Sequence, residues 1–355
     1  MRYLFAVVVV FFATIAALKS LKPFAQALSL QDIPRGRKQH KEPTPVIGGI
    51  GVVFAFIAVV FGFRYASALH PSFWVAALFL FIVGVLDDMR EFSSKIKFIA
   101  QAMAALLMMF WGHVRLVDLG NLFGYGDVAL GPWGVVITII GVMGVVNAFN
   151  MIDGIDGLCG TQSIVPLLVF AVVSMVEGNT ALAGVLVILI VAIIGFLSLN
   201  LRTRDGRHAV VFLGDAGSLF LGFVIAWISI QVSDSTNRIV KPAAVLWFLA
   251  IPLCDTVAVM LRRILHKQSP FKADRTHIHH VLQDLGFDVP VIVKILFFAS
   301  LSFAVFGMVA ILMMHIPDSI LFCLFLLLFI TYYFVKHVMF VSLHKKSLKV
   351  IKTIY

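Results

Sequence analysis

The stretch Asn147–Leu158, NAFNMIDGIDGL, closes an apolar run centred near Ile140 and sets Asn147, Asn150, Asp153 and Asp156 at its mouth. Steps of three residues fall just short of a helical turn, so neighbours share a face while the row drifts around the axis. The two Asp-Gly steps predict a loosened helix end where backbone can approach a ligand. A polar helix terminus running into a turn would explain one such pair as well. Ionisable groups are costly beside hydrocarbon, so two carboxylates with two amides at this place point to a functional site.

The rest of the chain makes that hydrocarbon a membrane. Of 355 residues, 61% are hydrophobic and 13% charged, and mean hydropathy is +1.03. Such values exclude an ordinary soluble domain and predict an all-α polytopic membrane protein. Windows of roughly 20 apolar residues predict about eleven transmembrane helices. Their centres lie near Val10, Phe54, Leu80, Ala105, Ile140, Leu168, Leu189, Val224, Leu249, Ala304 and Leu326. Arg2 before the run Tyr3–Leu18 resembles a signal peptide, but apolar segments continue to the C-terminus, so the run is expected to be a retained first span. Residues 1–335 are expected to form a single transmembrane catalytic domain, and 336–355 a basic cytoplasmic tail. Cys159, Cys254 and Cys323 lack metal-type spacing and are expected to be buried small hydrophobes.

Charge orients the threading. With these spans, 22 of the 28 Lys and Arg fall on one face, five on the other, and Lys294 inside a span. By the positive-inside rule the first face is cytoplasmic, with the N-terminus outside and the C-terminus inside. The net charge of +10 is spread over short loops. Anionic lipids and an anionic substrate are therefore the expected partners, and no nucleic acid.

Every loop with unusual polar groups opens on that cytoplasmic face. The first carries Arg37, Lys38, His40 and Lys41 ahead of Pro43, Pro45 and the glycines Gly48, Gly49 and Gly51. Basic groups beside a glycine-rich backbone suit an anionic head group, although positive-inside bias accounts for the charges too. Asp87-Asp88 follow the next apolar run, with Lys95 and Lys97 beyond. Adjacent carboxylates repel unless a cation or proton relieves them, which suits metal binding or proton acceptance; helix capping is the plain alternative. In VVFLGDAGSLFLG, Asp215 lies between Gly214 and Gly217, a turn able to carry a carboxylate and backbone N–H groups to a metal-bound phosphate, or simply an N-terminal cap. The last loop holds Asp274-Arg275 and then His277, His279 and His280. It lacks the spaced partners of a zinc site and fits phosphate and sugar contacts better.

The ordered set Asp87-Asp88, NAFNMIDGIDGL, FLGDAGS and DRTHIHH resembles the polyprenyl-phosphate N-acetylhexosamine-1-phosphate transferases over essentially the whole chain. Ile278 between His277 and His279 looks like the branch that uses UDP-N-acetylglucosamine (UDP-GlcNAc). The resemblance implies transfer of GlcNAc-1-phosphate to undecaprenyl phosphate, giving undecaprenyl-diphosphate-GlcNAc and UMP. That is the first membrane step of O-antigen or enterobacterial common antigen synthesis, at the bacterial inner membrane. It further implies Mg²⁺ or Mn²⁺ held by Asp215 and Asn150, and Asp87 and Asp88 orienting or deprotonating the lipid phosphate. By the same resemblance Asp153, Asp156, Lys41, Asn147 and Phe212 lie near the donor, and Arg275, His277, His279 and His280 lie over its diphosphate and sugar. A homodimer is also implied.

Two other classes make distinct expectations. A secondary transporter needs acids near mid-bilayer on repeat-related broken helices, and Asp255 is the only acidic residue so placed. A non-catalytic scaffold would tolerate neutralisation of the acids.

Overall fold

Backbone groups in hydrocarbon must be satisfied within their own segment, and the chain meets this with helices. A computed structural model describes residues 2–33, 43–202, 208–233, 240–270 and 274–354. In chain order the helices are α1 (Arg2–Leu21), α2 (Gly48–Gly62), α3 (Pro71–Arg90), α4 (Ser94–Phe110), α5 (Trp133–Ile152), α6 (Leu158–Val176) and α7 (Thr180–Asn200). They continue with α8 (Gly214–Ser233), α9 (Pro242–Phe248), α10 (Ala250–Leu265), α11 (Ile278–Asp284), α12 (Val289–Leu312) and α13 (Asp318–Ile354). One short antiparallel pair, β1 (Gln31–Asp32) and β2 (Thr44–Pro45), aligns Gln31 with Pro45 and Asp32 with Thr44.

Among the described residues, eight helices are long and apolar enough to cross a membrane, and α9 with α10 forms a further candidate span bent by 88°. The bend has a local cause. Pro252 lacks an N–H, and its ring would collide with the Phe248 carbonyl in a continuous helix. With the shorter α2 and α4, of 15 and 17 residues, these elements hold all eleven centres read from hydropathy, Leu249 falling at the bend.

Helix α8 is the axis of the bundle. It is buried almost throughout and packs against α2, α3, α5 and α6. Close approach requires small residues, since apolar side chains gain little from leaving lipid for protein. A Cβ on Gly49 would lie 2.2 Å from the Gly217 nitrogen, so α2 and α8 meet backbone to backbone. The glycines expected to admit a head group therefore serve helix packing. Main-chain bonds complete the joint: Gly48 N–H donates to Phe212 O, Gly49 N–H to Leu213 O and Phe212 N–H to Pro45 O, each at 2.8 Å.

Helix α13 runs without a break through the expected division at residue 336, and the Lys336 side chain is buried against Asp255. Lys336 is thus part of the packed bundle and not of a solvated tail. Cys159 and Cys254 are buried as expected, whereas Cys323 is exposed.

Candidate active site

The C-terminal ends of α3 and α5 and the N-terminal end of α8 meet at one end of the bundle, which brings the dispersed acids together. Asp88 reaches across to α8. Its Oδ1 accepts from the Asp215 N–H at 2.7 Å and its Oδ2 from the Ala216 N–H at 3.0 Å. Helix N-termini carry unsatisfied donors and a partial positive charge, so a carboxylate from a neighbouring helix caps α8. Asp87, one residue earlier, points elsewhere and accepts from the Phe92 N–H at 2.5 Å. Lys97 of α4 stands between the remaining carboxylate oxygens, with Nζ 2.9 Å from Asp87 Oδ2 and 2.9 Å from Asp215 Oδ2. Asn150 completes the group, its Nδ2 donating to Asp215 Oδ1 at 2.6 Å and to Ser218 Oγ at 3.0 Å.

The four-residue row in NAFNMIDGIDGL divides at the helix end. Asn147 and Asn150 lie on α5, and Asn147 donates to Gln101 Oε1 at 2.6 Å. Asp153 follows the last helical residue, where burial raises its carboxyl well above the usual range and the charges of Asp215 and Asp88 raise it further. Asp156 turns away to pair with Arg202.

A cavity of about 250 Å³ opens beside this cluster, lined on one side by Lys97, Asn147 and Asn150 and on the other by Arg263, Asp274 and the histidines His277, His279 and His280. The histidines form a file: the His277 and His279 rings stack at 5.8 Å, and His279 and His280 are 4.2 Å apart. His279 is buried and neither ring nitrogen has a hydrogen-bond partner. Burial, reinforced by the charge of a protonated His280, holds its imidazole well below the usual range. It fits against α5's end only because residue 154 is glycine, since a Cβ there would lie 2.2 Å from His279 Nε2. Arg263 donates to Asp274 at 3.0 Å, and Asp274 accepts from the Thr276 N–H at 3.0 Å. Burial pushes the Asp274 carboxyl up, but the bonds from Arg263 and Thr276 outweigh it and bring it down to about 2.

Of the residues expected from sequence, Asp87, Asp88, Asp153, Asn150 and Asp215 gather in the cluster, and Asn147, His277, His279 and His280 line the cavity. Arg275 does not line it and instead faces Asp284 at 3.4 Å. Phe212 acts through its main chain in the α2–α8 joint. Lys41 lies outside the described residues. Lys97 and Arg263 were the site residues without a distinct sequence signal, since positive-inside bias explains any Lys or Arg in these loops.

The sequence pattern of glycosyl transferase family 4 matches residues 70–233, which hold the acids but not the histidine loop. Over nearly the full length, the chain is similar to three undecaprenyl-phosphate alpha-N-acetylglucosaminyl 1-phosphate transferases. That of Escherichia coli (strain K12) is 36% identical over 331 residues, 93% of this chain and 88% of the relative. That of Yersinia pestis is 36% identical over 326 residues, with 91% and 88% covered. The Pasteurella multocida protein is 34% identical over 330 residues, with 93% and 92% covered. The chain belongs to the polyprenyl-phosphate N-acetylhexosamine-1-phosphate transferases. It is thus a multi-pass membrane glycosyl-1-phosphate transferase.

Proposed function

We propose that this transferase moves GlcNAc-1-phosphate from UDP-GlcNAc to undecaprenyl phosphate in the bacterial inner membrane. The products are undecaprenyl-diphosphate-GlcNAc and UMP, as in the first membrane step of O-antigen or enterobacterial common antigen synthesis. The observation that carries the reading is the convergence of Asp87 and Asp215 on the single cation Lys97 at the edge of a cavity whose far wall is basic and imidazole-rich.

An oxygen of the lipid phosphate attacks the β-phosphorus of the donor as the bridge to the α-phosphate breaks, and UMP departs. Such transfers need positioning and neutralisation of charge more than covalent help from the protein. Lys97 offsets the charge of the acid cluster, while Arg263 supplies donors for a diphosphate. Asp87 is the carboxylate assigned to take a proton from the acceptor phosphate, and Asp153, held towards its protonated form, is a hydrogen-bond donor.

The donor set fits a hard divalent cation. Two carboxylate oxygens already share one positive charge, and Mg²⁺ is commonly held by one or two carboxylates with waters and substrate phosphates. Asp215 and Asn150 would hold Mg²⁺ or Mn²⁺, which when bound neutralises and polarises the donor diphosphate. Among the described residues no group of three or more His, Cys, Asp or Glu side chains is placed to hold a metal ion.

The site lies at the end of the bundle, so the threading with eleven crossings, N-terminus outside and this end cytoplasmic gives donor access from water and acceptor access from the bilayer. The test is transfer by purified protein in detergent with undecaprenyl phosphate, Mg²⁺ and radiolabelled UDP-GlcNAc, following label into lipid and release of UMP. Metal-dependent labelling with matching UMP, abolished by EDTA, is the expected result. Labelling from a different UDP-hexosamine alone would keep the chemistry and overturn the sugar assignment, and folded protein inactive with every donor would overturn the function.

A further inference from the structure

Behind the histidine file lies a second polar cluster, centred on the buried Asp255 and joined to the file through His277. Asp255 of α10 is only 1% exposed, yet both its oxygens are occupied. Oδ2 meets His277 Nδ1 at 2.7 Å. Oδ1 accepts from the Ile278 N–H at 3.0 Å, from Tyr332 Oη at 2.8 Å and from Lys336 Nζ. Three of the four donors crowd Oδ1, and His277 takes Oδ2. Lys336 balances the Asp255 charge in a place where an unpaired carboxylate would be costly.

The bond to His277 fixes more than distance. A carboxylate can only accept, so Nδ1 carries the hydrogen and Nε2 is the free nitrogen of a ring that lines the reaction cavity. Among the described residues Nε2 has no hydrogen-bond partner, and the ring's other face stacks on His279. The donors come from α11's start and from α13, so the last helix of the chain holds the loop through this carboxylate.

We propose that Asp255, braced by Tyr332 and Lys336, is a positioning residue that sets the orientation and tautomer of His277 so that Nε2 faces the reaction cavity as a free acceptor. The inference rests on the cavity being the donor site. It makes α13 a working part of the enzyme, because without Tyr332 and Lys336 the carboxylate loses half of its donors.

The experiment compares wild type with Asp255→Asn, His277→Ala, the double variant and Tyr332→Phe, each purified and checked by size-exclusion chromatography. Two readouts are taken: kcat and donor KM with UDP-GlcNAc and undecaprenyl phosphate, and hydrogen exchange of residues 276–284. Asp255→Asn is expected to lower kcat by about 10²-fold, the scale of a small misplacement, with donor KM changed less than about threefold. The double variant should be within about twofold of His277→Ala, since a residue acting only through His277 has nothing to position once the ring is gone. Exchange across residues 276–284 should rise in Asp255→Asn. Wild-type kcat in folded Asp255→Asn, losses that add in the double variant, or unchanged exchange would each overturn the proposal. If Asp255→Asn does not fold, Tyr332→Phe, which removes one hydrogen bond and no charge, decides: faster exchange with a kcat loss of severalfold supports it, and no change in either sinks it. A wild type inactive with every donor would count against the function alone, and exchange in Asp255→Asn would still decide the positioning.

Discussion

Asp88 caps the helix that carries Asp215, accepting the Asp215 N–H at 2.7 Å on one oxygen and the Ala216 N–H at 3.0 Å on the other. The adjacent acids thus divide their work: Asp88 fixes where α8 begins, and Asp87 shares Lys97 with the Asp215 carboxylate. Losing an N-cap costs about 1 kcal/mol on average, and two buried donors left bare raise that figure. Asp88→Ala is therefore expected to lower the unfolding temperature in detergent and abolish turnover, whereas Asp87→Asn loses turnover with the unfolding temperature nearly kept. Equal thermal stability of the two variants would remove the capping role.

Lys97 is the only described cation in contact with both Asp87 and Asp215. Lys97→Met leaves two carboxylates facing one another without it. Initial rates should fall by about 10²-fold or more, as for loss of a charged group at a phosphoryl-transfer site. Lys97→Arg keeps the charge but not the compact ammonium, and should recover only part of the rate. A wild-type rate in Lys97→Met would place Lys97 outside the machinery.

The contact between Gly154 and His279 predicts a steric pair. Gly154→Ala sets a methyl 2.2 Å from Nε2 and must displace the ring. Transfer should fall at least tenfold, on the scale of a misplaced site group. In the His279→Ala background the same methyl should cost little further activity, because the collision is gone. Independent, multiplicative losses would show that the glycine matters for another reason.

Stability should depend on pH through the same ring. The His279 imidazole is held well below its ordinary value of 6.5, so below that pH the unfolded chain binds a proton that the folded chain refuses. The contribution is intact above about pH 6.5 and is lost as pH falls towards the folded-state value. His280, also lowered by burial, adds in the same direction. Unfolding temperature measured from pH 7.5 to 5.5 should decline, and His279→Phe should flatten the decline. An identical slope in that variant would refute the assignment.

Sequence alone determined the membrane class, the helical composition and the order of the polar loops, because a hydrophobic run near 20 residues long and a carboxylate beside it each carry a large solvation cost that tertiary structure cannot hide. It also drew Asp87, Asn150, Asp215 and the histidines to one end of the bundle, through threading and family resemblance. Tertiary structure decided how those groups are used. The capping of α8 by Asp88, the bridge through Lys97, the turning of Asp156 to Arg202 and the anchoring of His277 by Asp255 join residues that lie 22 to 128 positions apart, apart from the nearer Asp87–Lys97 arm. Spacing along one chain cannot encode such pairs, since they depend on which helix faces which. That choice was made by the glycines: where Gly49 meets Gly217 the backbones touch, and the helix ends that hold the acids come together with them.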